Sequence, residues 1–262
     1  SKSGSRKNIA AHYDLGNEFF HLWLDESLMY SSAVFDDPKM SLEEASLAKM
    51  RRVCEKLELT DSDELLEIGT GWGGLAIYAA KEYGCRVTTT TISEKQYEFS
   101  VRRVKEAGLE DQVTVLKKDY RDLTGQFDKL VSIEMLEAIG HEFIDTYFQK
   151  CSSLLKPNGM MLLQTITIAH SEYERAKKSV DFIQRYIFPG GSLSSVQVLT
   201  SSVTRVSNLL LHHLEEIGLD YATTISHWRH RMFLKLADIK SLGYSDEFIR
   251  MWEFYFCYCE GG

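Results

Sequence analysis

The sequence predicts an α/β protein built on a mostly parallel sheet. Two observations carry this. Between residues 64 and 168, β-rich runs that read as buried alternate with helical segments of ten or more residues, which is the pattern of repeated βαβ units. The first run, "LLEIGTGWGGLA" from Leu65 to Ala76, is a strand, a glycine-rich turn and a helix start, where such sheets bind nucleotides.

Taken in order, residues 1–40 are rich in aromatics and show little periodicity. "MSLEEASLAKMRRVCEKLEL" follows, a helix with Ser41 as N-cap and Glu44 three residues on, the capping-box pair. The alternation then runs "ELLEI" (strand), "GGLAIYAAKEYG" (helix), "RVTTTTI" (strand), "SEKQYEFSVRRVKEAG" (helix), "VTVLKK" and "FDKLVSI" (strands). A helix "FIDTYFQKCSSLLK" is expected to end at Pro157-Asn158-Gly159, with "MMLLQTITI" as the next strand. After Ile168 the pattern breaks. Residues 170–208 read as helical around a "FPGGSLSS" turn, placed as a lid beside the carboxyl ends of the strands. "LLLHHLEEIG" reads as a resumed strand, and helices follow at about 220–241 and 245–258. The chain stops at Glu260-Gly261-Gly262, so a final strand is expected to be missing. The expected divisions are a helical N-terminal cap segment (1–58), a Rossmann-like core (59–168), a helical lid insertion (169–208) and the remaining, truncated part of the core (209–262).

Composition narrows the function. With 44% hydrophobic and 26% charged residues and three prolines, 262 residues suit a globular protein with a sizeable core. A net charge of −8 argues against nucleic acid as a partner, because phosphate binding needs surplus Lys and Arg. The local basic clusters, Lys49-Met50-Arg51-Arg52, Arg102-Arg103 and Lys177-Lys178, read as solvated helix faces. Five cysteines without a CxxC pair read as reduced thiols in a cytoplasmic protein. No apolar run approaches the ~20 residues of a membrane span, and "SKSGSRKN" has no signal-peptide core, so any membrane contact is expected to be peripheral.

The glycine turn admits two nucleotide classes. Gly69, Gly71 and Gly74 satisfy the G-x-G-x-x-G of dinucleotide sites, while Gly69, Gly71 and Gly73 satisfy the G-x-G-x-G turn of S-adenosylmethionine (SAM) enzymes. A NAD site wants an acid about 20 residues on, at the end of the second strand. Here that strand ends "TTTTIS", which offers hydroxyls and no carboxylate. Glu67 stands just before the turn, facing a bound SAM in such enzymes, and Asp119 of "KKDYRDL" is placed to accept from the adenine amino group. Each carboxylate alone also reads as a cap or loop charge; the three features together favour SAM. A second polar cluster, "SIEMLEAIGH", puts Glu134, Glu137 and His141 at the end of a buried strand. A metal site, an acid–base pair and a helix start are all open readings of it. The eight histidines form no HxxxH or HExxH pattern, and His227 and His230 beside Trp228 give no metal set.

Seven motifs in order, "AAHYDLGNEFFHLWLDESLMYSSAVF", "LLEIGTGWGGLA", "TISEKQ", "DYRDL", "EMLEAIGHE", "YIFPGG" and "DYATT", resemble the cyclopropane fatty acyl phospholipid synthases and the related mycolic acid cyclopropane synthases. The resemblance runs from about Asn8 to Glu260. It implies a class I SAM-dependent methyltransferase fold with a helical cap over a lipid pocket. It implies SAM contacts at Tyr30 and Ser31, along Leu65 to Gly73 (Glu67, Gly69, Gly71, Gly73), at Thr91, Ser93 and Gln96, and at Asp119 and Tyr120. The implied reaction adds a SAM methyl across the cis double bond of a phospholipid acyl chain. Aromatic faces steady the resulting cation, and a bound bicarbonate removes the proton as the ring closes. Candidates for those faces are Tyr13, Phe19, Phe20, Tyr30, Trp72, Tyr186, Phe188, Tyr221 and Trp228. The resemblance assigns the bicarbonate to Ser32, Glu137, Gln164, Ile166 through its backbone, and Tyr221. Ser32 and Gln164 stand where many members carry cysteine and histidine; both can donate to an anion, but Gln carries no charge. Cys259 matches a family cysteine proposed as a nucleophile and reads better as structural or pocket-lining. No metal is implied. Peripheral contact with the inner membrane face and a homodimer are further expectations. The alternatives are a methyl- or methylene-branching fatty acid enzyme, a small-molecule N-methyltransferase, a non-enzymatic lipid- or SAM-binding protein and, most distant, a NAD-linked dehydrogenase.

Overall fold

The computed structural model describes residues 16–261; Tyr13 and the first fifteen residues of the expected cap segment lie outside them. In chain order the elements are α1 (Asn17–His21), α2 (Leu42–Lys56), β1 (Glu64–Ile68), α3 (Gly74–Tyr83), β2 (Arg86–Thr91), α4 (Glu94–Glu106), β3 (Val113–Lys117) and β4 (Phe127–Ile133). They continue with α5 (Ile144–Leu154), β5 (Leu155–Gln164), α6 (His170–Ala176), α7 (Val196–Val206), α8 (Gly218–Leu234), α9 (Leu236–Ser241) and α10 (Asp246–Glu260). The chain forms two compact units. One runs from Cys54 to Leu214; the other joins the described residues up to Val53 with those from Glu215 onward. This division does not follow the expected boundaries at 58, 168 and 208: residues from Glu215 cluster with the N-terminal segment rather than with the sheet.

The first unit holds a five-stranded sheet in the order β3-β2-β1-β4-β5, every pair parallel. The chain winds outward from β1 to β3, then returns to the other side of β1 for β4. That reversal puts the topological switch point between β1 and β4, where ligands bind beyond the carboxyl ends of the strands. The glycine turn follows β1 and Glu134 follows β4, so both motifs lie at that point. Behind the sheet, α5 buries Ile144, Tyr147, Phe148, Cys151 and Leu154 against Leu66, Ile68 and Leu130. Their three- and four-residue spacing is one face of a helix, and each large side chain contributes about 1.5–3 kcal/mol by leaving water.

Two expected elements come out differently. The helix before Pro157 ends earlier, at Leu154, and β5 begins at once. Pairing with β4 jumps from Phe127 with Leu155 to Lys129 with Met160, so Pro157-Asn158-Gly159 is looped out within the strand rather than closing the helix. Asn158 takes φ +65° there, and Lys156 Nζ ties the loop to Asp128 Oδ2 at 2.9 Å. The second difference is "LLLHHLEEIG", which forms no strand. A strand exists only through a partner's backbone, and none of the described residues pairs with it. Leu210 is left 88% exposed, with Leu211 and Leu214 also exposed. The lid segment is helical in pieces: α6, a π-helical turn over Ile183–Ile187, and α7. Its base is fastened by Ile168 N donating to Ser194 O at 2.9 Å and Ser192 N to Glu137 O at 2.8 Å.

The second unit has an aromatic core. Phe19 and Phe20 of α1, Trp23, Trp228 of α8, and Trp252 and Phe256 of α10 are all buried. They meet edge-on or tilted, Phe19 with Trp252 at 4.9 Å and Trp23 with Trp228 at 5.6 Å, geometries that aromatic quadrupoles favour. Phe19, Phe20 and Trp228 thus serve packing. The α2 capping box forms as expected: Glu44 N donates to Ser41 Oγ at 3.2 Å, and Ser41 N to Glu44 Oε2 at 2.7 Å. The solvated reading of the basic clusters is corrected at two residues. Lys49 falls in register with Leu42, Ala45, Ser46 and Val53 on the buried face of α2. Arg103 turns inward from α4 to donate to Trp72 O at 2.9 Å.

Candidate functional site

The glycine turn is built by its neighbours. Gly69 N and Thr70 N both donate to Thr90 O, at 3.0 and 3.1 Å. The carbonyls on its far side are held from α4, Gly71 O by Ser100 Oγ at 3.3 Å and Trp72 O by Arg103. Gly69, Gly71 and Gly73 all have positive φ, but what a side chain would meet differs. A Cβ on Gly69 would press Met135 and one on Gly73 would press Ser100, each at 3.3 Å; on Gly71 it would meet nothing within 4 Å. Gly71 therefore opens onto free space, a cradle that a closely approaching ligand can use. Trp72, named among the candidate aromatic faces, is buried in the core.

Behind the turn, Glu67 pairs with Thr89 and Val131 in the sheet register and is only 3% exposed. The Thr89 hydroxyl donates to Glu67 Oε2 at 2.6 Å and lies 2.7 Å from Thr70 Oγ1. Burial dominates that hydrogen bond and pushes the Glu67 carboxyl up to about 8. Burial therefore favours the protonated, neutral form of Glu67. Beyond β2, Thr91 Oγ1 donates to Gln96 Oε1 at 2.9 Å, which leaves the amide nitrogen of Gln96 as its donor end. Ser93 caps α4 by accepting from Gln96 N. Asp119 is buried, and Arg121 holds both its oxygens, Nε to Oδ1 at 2.8 Å and a second nitrogen to Oδ2 at 2.6 Å. It also caps the 3-10 turn that carries Tyr120. The cap and the ion pair both draw on the carboxylate that the adenine was expected to meet.

At the end of β4 the chain makes a strained turn. Glu134 takes φ +45°, a left-handed conformation that costs a non-glycine residue about 1 kcal/mol or more. It is held by Gln164 from both sides: Glu134 N donates to Gln164 O at 2.8 Å and Gln164 Nε2 to Glu134 Oε1 at 2.9 Å. The next two residues of the same strand end serve Glu137. Thr165 Oγ1 and Ile166 N donate to its Oε1 at 2.9 and 2.5 Å. The other oxygen, Oε2, is buried without a hydrogen-bond partner. Burial, with the Glu134 charge second, pushes this carboxyl up to about 7. Since Oε1 already accepts two bonds, the proton belongs on Oε2. Of the residues assigned to the bicarbonate, Gln164 thus engages Glu134 through Nε2, and Ile166 N engages Glu137 itself. His141 lies on the surface beside Glu142, and among the described residues no cluster of His, Cys, Asp and Glu suits a metal.

The remaining expected residues belong to the second unit. Tyr30 packs on Phe20 and Trp228 at 5.1 and 5.2 Å, and its hydroxyl lies 3.4 Å from that of Tyr255. Tyr255 also faces Tyr221 and Cys259, and burial lifts its phenol well above the usual range. Tyr30, Tyr221 and Cys259 therefore gather around one buried phenol that no sequence motif announced. Ser32 Oγ donates to Ala33 O at 3.0 Å. Ser31 is buried and accepts from Lys49. None of the five cysteines forms a disulfide; burial pushes the Cys54 and Cys151 thiols up to about 12. Of the other aromatic candidates, Tyr186 is exposed.

The doubly wound parallel sheet with a glycine turn at its switch point is the fold of the SAM-dependent methyltransferases. The crystal structure of mycolic acid cyclopropane synthase CmaA1 complexed with SAH and CTAB superposes with a TM-score of 0.91 at 30% identity, covering 98% of this chain and 92% of that one. Coclaurine N-methyltransferase, at 21% identity and a TM-score of 0.78, shares the fold alone. The family described as mycolic acid cyclopropane synthetase matches residues 1–262, and the chain belongs to it. Tuberculostearic acid methyltransferase UfaA1 of Mycobacterium tuberculosis is 36% identical over 269 residues, 100% of this chain and 63% of that protein. The cyclopropane-fatty-acyl-phospholipid synthase of Escherichia coli K12 is 39% identical over 251 residues, 95% of this chain and 62% of that protein. The chain spans a little under two thirds of the length of these curated relatives.

Proposed function

We propose that this chain is a SAM-dependent C-methyltransferase acting on the cis double bond of unsaturated phospholipid acyl chains, with a cyclopropane as product. The observation that carries the reading is Glu137, a buried acid whose Oε1 is saturated and whose Oε2 has no partner. A proton kept on that oxygen can donate a hydrogen bond to a small anion such as bicarbonate, which would stay unprotonated and could serve as base. When bound, SAM supplies an electrophilic methyl group and bicarbonate a proton acceptor.

The chain's own residues divide the remaining work. Gly69, Gly71 and Gly73 admit the cofactor's close approach, and Glu67, Thr91, Ser93, Gln96, Asp119 and Tyr120 are assigned to it in the first unit. Tyr30 and Ser31 are assigned to it in the second. Asp119 can accept from adenine while Arg121 holds it, because a carboxylate has about four acceptor sites and Arg121 uses three of them. Glu137 holds the anion, and Gln164, Ile166, Ser32 and Tyr221 are its further candidate neighbours, with Cys259 lining the pocket. Peripheral contact with the inner membrane face, a cytoplasmic setting and a homodimer belong to the same reading. No helix among the described residues is long and apolar enough to cross a membrane.

A methyl- or methylene-branched product is the second reading. Its support is that Gln164 Nε2 and Ile166 N are already engaged by Glu134 and Glu137, which leaves fewer donors for a bicarbonate. Incubation with SAM and vesicles of unsaturated phospholipid, followed by mass spectrometry, tests both. A gain of one CH2 per acyl chain without a new double bond supports the cyclopropane, and a gain with a methylene or branched methyl supports the second reading. No gain overturns both. Glu137→Gln should lower turnover by roughly a hundredfold or more while leaving S-adenosylhomocysteine affinity nearly unchanged; wild-type rates would remove the anion assignment.

A further inference from the structure

Thr165 stands between two residues with assigned roles, and neither a sequence motif nor the functional reading gives it one. The end of β5 delivers three consecutive residues to the two acids that follow β4. Gln164 holds Glu134 through its carbonyl and its side-chain amide, and the next two residues turn to Glu137. Thr165 Oγ1 donates to Glu137 Oε1 at 2.9 Å, and Ile166 N donates to the same oxygen at 2.5 Å. From the lid segment, Ser192 N donates to the Glu137 carbonyl at 2.8 Å. The backbone of Glu137 is thus fixed independently of its carboxyl.

The donors are unevenly shared. Two donors that only had to satisfy a buried carboxyl would be divided between its oxygens, because an unpaired buried acceptor is costly. Here both meet Oε1, and Oε2 is buried without a hydrogen-bond partner. The Ile166 amide is backbone and comes with the strand; the Thr165 hydroxyl is the donor that side-chain identity adds. Threonine is also stiff at χ1, so the hydroxyl keeps one aim. Burial, and then the charge of Glu134, push the Glu137 carboxyl up to about 7, and the bonds from Ile166 and Thr165 oppose them. His141 and Glu142, the next titratable groups along the chain, are exposed. We propose that Thr165 is a positioning residue whose hydroxyl keeps Glu137 Oε1 turned to the end of β5, so that Oε2 is the oxygen presented to the anion. The inference rests on the assignment of the anion to Glu137 made above.

Thr165→Val removes the hydroxyl and keeps the shape of the side chain; Thr165→Ser keeps the hydroxyl. In Thr165→Val the Glu137 carboxyl, followed by carbon NMR against pH, should titrate about half a unit to one unit higher, the worth of one lost donor. Methyl transfer to vesicles of unsaturated phospholipid, at the optimum pH of each protein, should fall about tenfold or more through misplacement of the acid. S-adenosylhomocysteine affinity should stay within about twofold. Thr165→Ser should recover most of both the titration and the rate. Wild-type turnover in Thr165→Val overturns the proposal. So does a slower enzyme whose Glu137 titration has not moved, which marks a merely structural threonine. If Thr165→Val does not fold, Thr165→Ala takes its place, and the wild-type hydroxyl proton of Thr165 must exchange slowly with water; rapid exchange overturns the proposal by itself. Wild-type rates in Glu137→Gln would instead remove the anion assignment, and the inference with it.

Discussion

Replacing Glu67 by Gln should flatten the pH dependence of stability. Glu67 is 3% exposed on the central strand and accepts from the Thr89 hydroxyl. Its carboxyl is raised from 4.5 to about 8, so between those values the native state keeps a proton that the unfolded chain has released. A group raised in this way stabilises the fold fully below pH 4.5. The contribution declines by 1.36 kcal/mol per pH unit and is lost by about pH 8. Between pH 5 and pH 8 the loss amounts to about 4 kcal/mol, less whatever relaxation around the ionised form recovers. Glutamine presents a similar acceptor to Thr89 and cannot ionise. Urea unfolding of both proteins at pH 5, 6, 7 and 8 should therefore show Glu67→Gln gaining on the wild type steadily, by at least about 2 kcal/mol across the range. A constant difference would mean that Glu67 is ionised when folded, and would refute the reasoning.

The glycine turn and the paired acids give further expectations. Gly71→Ala should cost only about 1 kcal/mol of stability, from its positive φ, because the new Cβ meets open space; S-adenosylhomocysteine affinity should fall about tenfold. Gly73→Ala should destabilise more, since its Cβ presses Ser100 at 3.3 Å; thermal unfolding of the pair, with ligand titration, checks both, and undiminished affinity in Gly71→Ala would show the cradle to be unused. Glu134→Gln removes the negative charge beside Glu137. The Glu137 carboxyl should then titrate lower than about 7, so the loss of its proton, and of any rate that needs it, moves to lower pH. Carbon NMR of the labelled carboxyl, identified with Glu137→Gln, reads this without reference to turnover. An unmoved titration would show that burial alone sets it.

Much of the fold was legible because it is written locally. The βαβ alternation, the Ser41–Glu44 box and the glycine turn depend on residues within a few positions of one another, and each formed where expected. "LLLHHLEEIG" shows the limit. Its apolar pattern suits a strand, but a strand needs a partner distant in sequence, and none of the described residues pairs with it. Lys49 and Arg103 show the same limit for single residues. Each sits in a basic run that composition assigns to solvent, and only the register of its helix turns it inward.

By itself, then, the sequence determined a parallel α/β fold and a SAM-type glycine turn and singled out Glu137 as a candidate, because each rests on local pattern or on ordered motifs. The tertiary structure decided how those acids behave. Burial and the nearby Glu134 raise Glu137, Thr165 and Ile166 saturate one of its oxygens, and the other is left free to hold a proton. It also decided that Gln164 clamps Glu134 and that Lys49 donates to Ser31. Desolvation and the direction of a hydrogen bond depend on what packs around a group in space, and the linear order of residues does not state that.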